Sequence, residues 1–505
     1  QQGTVVLRPQ TGSNRALYIS GAYAGALTVD AGATLQVEGL DEATDRTLTL
    51  QLNSVAGIRG DIYGTLRVAT HGSNNTASGI FTNASYNAAY LYFYTGSTYD
   101  HAINGSQLPM ATWQGTATCQ ITGSPVTFNT IPAVNYFGQA FRNFVWNAPA
   151  QTTTMSFASY LTNVQGDFTV TSTNSQILAF YNSTMTANIG GKLIVNGANA
   201  RLVPFDGTST AIVTLNVYGD FELSNGTFDF TNNSSSTGGT SLRLYGNYNQ
   251  TGGALTITGT NGTKSSLFFN GTSPTRFYTQ SAGTVTNPRY NYTVSTGAFL
   301  TMNNNLTIPT GRTFTNSGTL IMGTRVIDGA GTFALTNAST ATIQTGNAGG
   351  LAASGASGSI QTTTRTSIAA ATLANFVYNG TVDQVTGTAL PATVNSLTIN
   401  NTGGTGRVDL TSSVSITNNL VLNQGRLALG ANNLTLLQTG VTPITGNTPS
   451  ATNMVVADGT GFLIKSFPAN ASPAFTFPIG DGTGTYKYSP VTIQNTSPSS
   501  GAGVI

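Results

Sequence analysis

Cysteine, histidine and charge are the scarce commodities of this 505-residue chain, which holds one Cys, two His and only 7% charged residues. A lone thiol cannot close an internal disulfide, so this is not a small cysteine-stapled fold. His71, His101 and Cys119 approach no zinc-ligand spacing, and no metal site or cofactor is expected. Cys119 reads as a small buried side chain rather than a nucleophile. Nineteen Lys and Arg against seventeen Asp and Glu leave a formal net charge of +2. No basic run tracks along the chain, so nucleic acid is not expected as a partner. No stretch of 18 apolar residues occurs, which excludes a membrane-spanning helix. An amphipathic 3.6-residue period of useful length is missing too, so helices should be few.

What the chain has instead is 39% hydrophobic residues, 59 Gly, and many Thr, Ser and Asn. Disorder goes with low hydrophobicity and high charge, and neither describes this composition. Thr suits a half-exposed strand face, while Gly and Asn tolerate the positive φ of tight turns.

The organisation is repetition. Four segments share an apolar-x-Gly-polar-apolar form: VQGDF, IGGKL, VYGDF and LYGNY. Their glycines, Gly166, Gly191, Gly219 and Gly246, follow one another at 25, 28 and 27 residues. A period in the twenties is the mark of a solenoid coil. Around Arg243, Leu242 and Leu244 should point one way and Arg243 the other. Later echoes place Phe299, Phe314, Leu320 and Phe333 after a Gly-x corner, each expected to turn into the core. Between residues 414 and 436, Val414, Ile416, Leu420, Leu422, Leu427, Leu429, Leu434 and Leu436 form paired inward positions split by NN, NQG and GANN turns.

The predicted fold is all-β, a right-handed parallel β-helix (β-solenoid) over residues 1–440. Residues 84–120 are expected to form an irregular aromatic-rich insertion or a bulky coil. Residues 441–505 are expected to begin a terminal β-sandwich-like or capping segment. A β-sandwich array also accommodates short strands with frequent turns, but the near-constant spacing favours the solenoid. The chain opens Gln1-Gln2-Gly3 without Met, as a mature chain does after signal-peptide removal, so export is expected. It ends at Ile505 inside a strand-and-turn pattern, and more sequence is expected to follow.

Candidate chemistry is sparse, and no catalytic residue is assigned. A β-helix enzyme acting on acidic polysaccharides needs clustered carboxylates, or basic residues with calcium. Here the densest acidic group is Glu38, Asp41, Glu42 and Asp45, followed by Arg46; a cation site is one reading and a solvated loop the plainer one. Asp167 and Asp220 occupy equivalent repeat positions and read as outward strand-start residues. Asp100 and His101 are neighbours in one strand, so their side chains diverge and make a poor catalytic dyad. Gly262-Thr263-Lys264-Ser265 lacks the earlier glycine of a phosphate loop and reads as a turn. Carbohydrate is the better candidate ligand, because Tyr and Trp stack on sugar rings. Tyr92, Tyr94, Tyr99 and Trp113 are the expected glycan contacts, with Tyr90 and Trp146 nearby.

Several longer segments carry a resemblance: YDHAINGSQLPMATWQGTATCQITG (99–123), FRNFVWNAPAQTTTMSFASYLTNVQGDFTV (141–170), FVYNGTVDQVTGTALPATVNSLTINN (376–401), and the closing VVADGTGFLIKSFP…FTFPIGDGTGTYKYSPVTI. Here the chain resembles the large repetitive surface proteins exported by the type IX secretion system of gliding Gram-negative bacteria. The resemblance implies export, a β-helical body, surface attachment or release, and contact with the secretion machinery during export. It implies little about activity. A recognisable C-terminal sorting domain of that group is not part of this sequence. The expected function is therefore a non-enzymatic, secreted, cell-surface structural or adhesin-like protein, a stalk or fibre subunit. Its expected partners are the secretion machinery, other copies of itself end to end, and surface glycans. A glycan-binding module is the alternative, and a polysaccharide lyase or hydrolase the less favoured one.

Overall fold

A computed structural model describes residues 3–41, 46–53, 55–71, 79–83, 87–123, 137–232, 238–259, 264–440, 442–468 and 474–494. Strands throughout follow the two-residue alternation that one buried face demands. Ile212–Val217 alternates half-buried and buried along its whole length, and so does Leu48–Leu52. Arg243 is half-buried between fully buried Leu242 and Leu244. Helix is nearly absent: among the described residues the single α-helical stretch is Ser367–Ala370.

The chain is a parallel β-helix. Up to the antiparallel pairs near its C-terminal end, strands pair in parallel with the equivalent strand of the next coil, and among the described residues no connection carries an α-helix longer than Ser367–Ala370. Contact density divides the chain into two compact units, Gln1–Leu267 with Gln280–Tyr290, and Phe268–Thr279 with Asn291–Ile505.

In the first unit one inward column runs Leu35–Leu66–Tyr99–Cys119–Phe144–Phe168–Leu193–Phe221–Tyr248, each residue the register partner of the next. All but Leu35 are fully buried. Burying such a side chain contributes about 1.5–3 kcal/mol, so stacking coil on coil is the main stabilising term. Coil length varies from 20 residues (Thr98 to Thr118) to 33 (Thr65 to Thr98) without loss of this register. The aromatic-rich stretch belongs to two successive coils: Leu91–Phe93 pairs with Thr112–Trp113, and Thr98–Ala102 with Thr118–Ile121. Among the described residues its irregular parts are the 3-10 turn Ala88–Tyr90 and the connection 103–111.

The repeated glycines form a second column. The amide of Gly191 donates to the Gly166 carbonyl, and that of Gly219 to Gly191, both at 2.8 Å. Their φ values are not positive; close approach, rather than turn geometry, excludes a side chain. A Cβ on Gly219 would lie 2.6 Å from the Gly191 carbonyl carbon, and one on Gly246 2.1 Å from the Gly219 oxygen. Beside this column Asp167 accepts from the backbone amide of Lys192 and Asp220 from that of Asn247, each at 2.7 Å. Asn143 does the same for the amide of Asp167 at 3.0 Å. These side chains cap the next coil's backbone.

In the second unit Tyr292, Phe314 and Phe333 stack inside, with ring centroids 6.0 and 5.6 Å apart. All eight predicted inward positions between residues 414 and 436 are buried. Of the Gly-x echoes, Phe314, Leu320 and Phe333 turn inward as expected, but Phe299 does not. The glycines explain why. Gly297 and Gly311 hold φ near +76° and +72° in open space, and the inward residue follows three positions later, at Leu300 and Phe314. Gly318 and Gly331 press on the neighbouring backbone, and the inward residue follows after two, at Leu320 and Phe333.

Parallel pairing does not stop at residue 440: Leu434–Leu436 pairs with Leu463–Lys465, and Val455–Val456 with Ile479–Asp481. Antiparallel pairing then takes over, Ile479–Asp481 with Lys487–Tyr488 and Phe475–Phe477 with Val491–Ile493. Tyr486 lies under the Arg426 guanidinium at 3.9 Å, and with Tyr488 packs on Ala428, Met454 and Val456. The inward column Val394–Ile416–Leu436 ends at buried Lys465, whose Nζ donates to the carbonyls of Gln438 and Ser466.

Candidate functional site

The strands Ala24–Val29, Arg59–Ile62, Leu91–Phe93 and Thr112–Trp113 stack into one wall of the first unit. Alternation decides which of its aromatics meet solvent. Tyr92 and Tyr94 face outward and are half-buried, whereas Phe93 and Trp113 face inward and stack at 4.4 Å. Trp113 Nε1 donates to Gln139 Oε1 at 2.9 Å, satisfying the one polar atom of a buried indole. Tyr99 is fully enclosed and hydrogen-bonded to His101 Nδ1 at 3.0 Å. The expectation that Tyr99 and Trp113 contact a glycan is therefore corrected: both are core, because each sits at an inward position of its strand. Trp146 is core as well, its Nε1 donating to Gln151 Oε1 at 3.0 Å.

Tyr92 and Tyr94 do share a surface, but their rings are already engaged. Tyr94 stacks on Tyr63 of the preceding coil at 4.4 Å and 9°. Its hydroxyl donates to Asp61 Oδ1 at 3.0 Å. Partial burial, and then this bond to an anion, push the Tyr94 hydroxyl up to about 12. Arg59 pairs with Asp61 at 2.7 Å and sits 5.1 Å from the Tyr92 ring centre. The hydrogen bond to Asp61 raises its pKa above the usual guanidinium value. The result is a self-satisfied aromatic ladder braced by an ion pair. A second stacked pair, Tyr218 on Tyr245 at 4.7 Å, lies at the turns of the glycine column. Sequence reasoning missed Arg59, Asp61 and Tyr63. The signal was available, since Tyr63 and Tyr94 stand one coil apart.

The adjoining wall is polar. At its edge Thr4, Thr34, Thr65, Thr98 and Thr118 form one outward rank in strict register. The pattern behind it is small-Thr-apolar-x-apolar in GTVVL, ATLQV, GTLRV and ATCQI, with His101 taking the last inward place in STYDH. The next outward rank is Gln36–Arg67–Asp100–Gln120. Arg67 Nη1 lies 3.2 Å from Asp100 Oδ2, and Thr122 Oγ1 donates to Asp100 Oδ1 at 2.5 Å. His101, pointing the opposite way, bonds Tyr99 and the Gly105 carbonyl. Asp100 and His101 point to opposite faces of their strand. Burial lowers the His101 pKa to about 4. Cys119 is buried, and burial raises its thiol pKa well above the usual value.

Other polar residues singled out in the sequence are placed as follows. Glu38 is buried against Arg8 and Gln36. The amide of Asp41 donates to His71 Nδ1 at 3.3 Å, while Glu42 and Asp45 lie outside the described residues. So do Gly262 and Thr263; Lys264 Nζ donates to the Thr210 carbonyl. In the second unit Arg407 bonds Asp409 at 2.5 Å and Asp458 at 3.4 Å, and Asp383 accepts from the amides of Thr405 and Arg407. Among the described residues no group of three His, Cys, Asp or Glu side chains is placed to hold a metal ion, and no helix is long and apolar enough to cross a membrane.

No protein-family profile matches the chain, and neither a curated protein nor a solved structure is significantly similar to it.

Proposed function

We propose that this chain is a secreted, non-enzymatic structural or adhesin-like protein, a surface stalk or fibre subunit. The observation that carries the reading is where its polar side chains are spent. Asn143, Asp167 and Asp220 each accept from the backbone of the following coil, and Asn216 donates to Asn188 of the preceding one at 2.8 Å. Such bonds tie coil to coil and suit a scaffold whose task is stiffness. The low charge and the resemblance to type IX cargo support export and surface display. On this reading the secretion machinery is a transient partner, and copies of the chain associate end to end.

The test is fractionation of cells making the native protein, with and without a working type IX translocon, followed by negative-stain imaging of the released material. Protein at the surface or in the medium, lost on removing the translocon and seen as rods or filaments, is expected. Retention inside translocon-competent cells would contradict the proposal.

A further inference from the structure

The outward rank Arg67–Asp100–Gln120 borders a cavity of about 330 Å³ on the wall next to the tyrosine ladder. Ala102, Thr122, Gly123 and Ala150 complete its lining. The size falls at the lower end of small-ligand pockets, about 300–1,000 Å³. Small side chains make the room: Ala102 sits on the same sheet face as Asp100, two residues along its strand, where a longer side chain would fill the space.

Three planar polar groups meet there on consecutive coils, at the strand spacing of about 4.8 Å. Asp100 is buried, although it stands on an outward position. It engages Arg67 and Thr122. The enclosed Nε of Arg67 has no hydrogen-bond partner. The Gln120 amide is half-buried and has no partner among the described residues, which leaves a donor and an acceptor aimed outward from the sheet.

We infer that this cavity is a carbohydrate subsite, taking one neutral sugar residue of a glycan chain. Guanidinium, carboxylate and carboxamide groups offer paired donors and acceptors in fixed planes, which suits adjacent hydroxyls that both give and accept hydrogen bonds. Neutrality follows from charge. Arg67 and Asp100 form an ion pair, so the cavity offers no net charge that would favour an anionic or a cationic sugar over a neutral one. The subsite is independent of the scaffold reading and distinct from the tyrosine ladder, whose rings are occupied by one another.

The test uses the full chain and neutral hexasaccharides of the cello, manno, xylo and laminari series, with hexagalacturonate as the acidic control, read by saturation-transfer NMR and calorimetry. Saturable binding of at least one neutral series is expected. Gln120→Ala should weaken it at least tenfold, the loss of roughly one well-formed hydrogen-bond pair. Ala102→Phe, which fills the cavity, should abolish it, and Tyr92→Ala should leave it within about twofold. Thermal melts confirm that each variant is folded; should Ala102→Phe not fold, Gln120→Ala, at a half-exposed position, decides alone. Absence of saturable neutral binding, binding of hexagalacturonate alone, or an unchanged affinity in Gln120→Ala would overturn the inference.

Discussion

Between Gly166 and Gly246, successive coils meet at one corner through bare backbone, whereas between Leu91 and Ile121 they meet through aromatic side chains. In the first region a Cβ on Gly191, Gly219 or Gly246 would fall 2.1–2.7 Å from main-chain atoms of the coil before. In the second, Phe93 and Trp113 stack inside at 4.4 Å, and Trp113 meets Phe141 of the following coil at 5.4 Å. Both regions keep the parallel register. The inward column therefore sets the coil spacing, while corners and outer faces are free to vary.

That comparison can be broken most severely at Trp113. Truncation to Ala removes the ring that spans Phe93 and Phe141 together with the indole's hydrogen bond to Gln139, so a loss of about 3–5 kcal/mol is expected in chemical denaturation. A loss near that of a surface residue would show that the aromatic coils do not share the core. Gly219→Val should follow at about 3 kcal/mol, because the backbone it meets belongs to a hydrogen-bonded column and cannot give way. Gly96→Ala is the matched control: its φ of +82° is strained for Ala, but the site is open. It should cost only about 1–2 kcal/mol. Equal losses at Gly219 and Gly96 would refute close approach as the reason for the repeat.

His101 sharpens the comparison through pH. Its folded pKa of about 4 lies below the ordinary value of about 6.5. The unfolded chain therefore binds this proton first as pH falls. Its contribution to stability is complete above about pH 6.5 and is lost as pH drops towards 4. His101→Gln should flatten the denaturation midpoint between pH 6.5 and 5, and an unchanged slope there would remove the buried neutral imidazole from the account. The smallest effect is expected at Tyr63, 41% exposed. Tyr63→Ala gives up one outer ring stack, worth about 0.5–1.5 kcal/mol, and should lower the Tyr94 pKa, visible by ultraviolet titration.

Much of the fold was legible in the sequence, because it depends on inward residues that follow a simple rule. The spacing of Gly166, Gly191, Gly219 and Gly246 reports the coil, and the alternation from Val414 to Leu436 reports the wall. Phe299 was misplaced because two kinds of glycine precede inward residues, and only backbone φ separates them. The candidate sites were much less legible. Which outward residues become neighbours depends on coil length, and a step that varies from 20 to 33 residues hides the alignment of Arg67, Asp100 and Gln120. Tyr99 and Trp113 looked available because aromatic residues serve both a core and a sugar platform, and only strand phase decides between them.

The central claim is in-register stacking of parallel coils, and the threonine rank offers its most direct test. Nitroxide labels placed by Cys substitution at Thr34, Thr65, Thr98 and Thr118 would stand about 4.8 Å apart on neighbouring strands. Electron paramagnetic resonance of the fourfold-labelled protein should give one exchange-narrowed line, with ordinary three-line spectra from each single label. Three resolved lines in the fourfold-labelled protein would contradict the register on which the fold, the tyrosine ladder and the sugar subsite all depend.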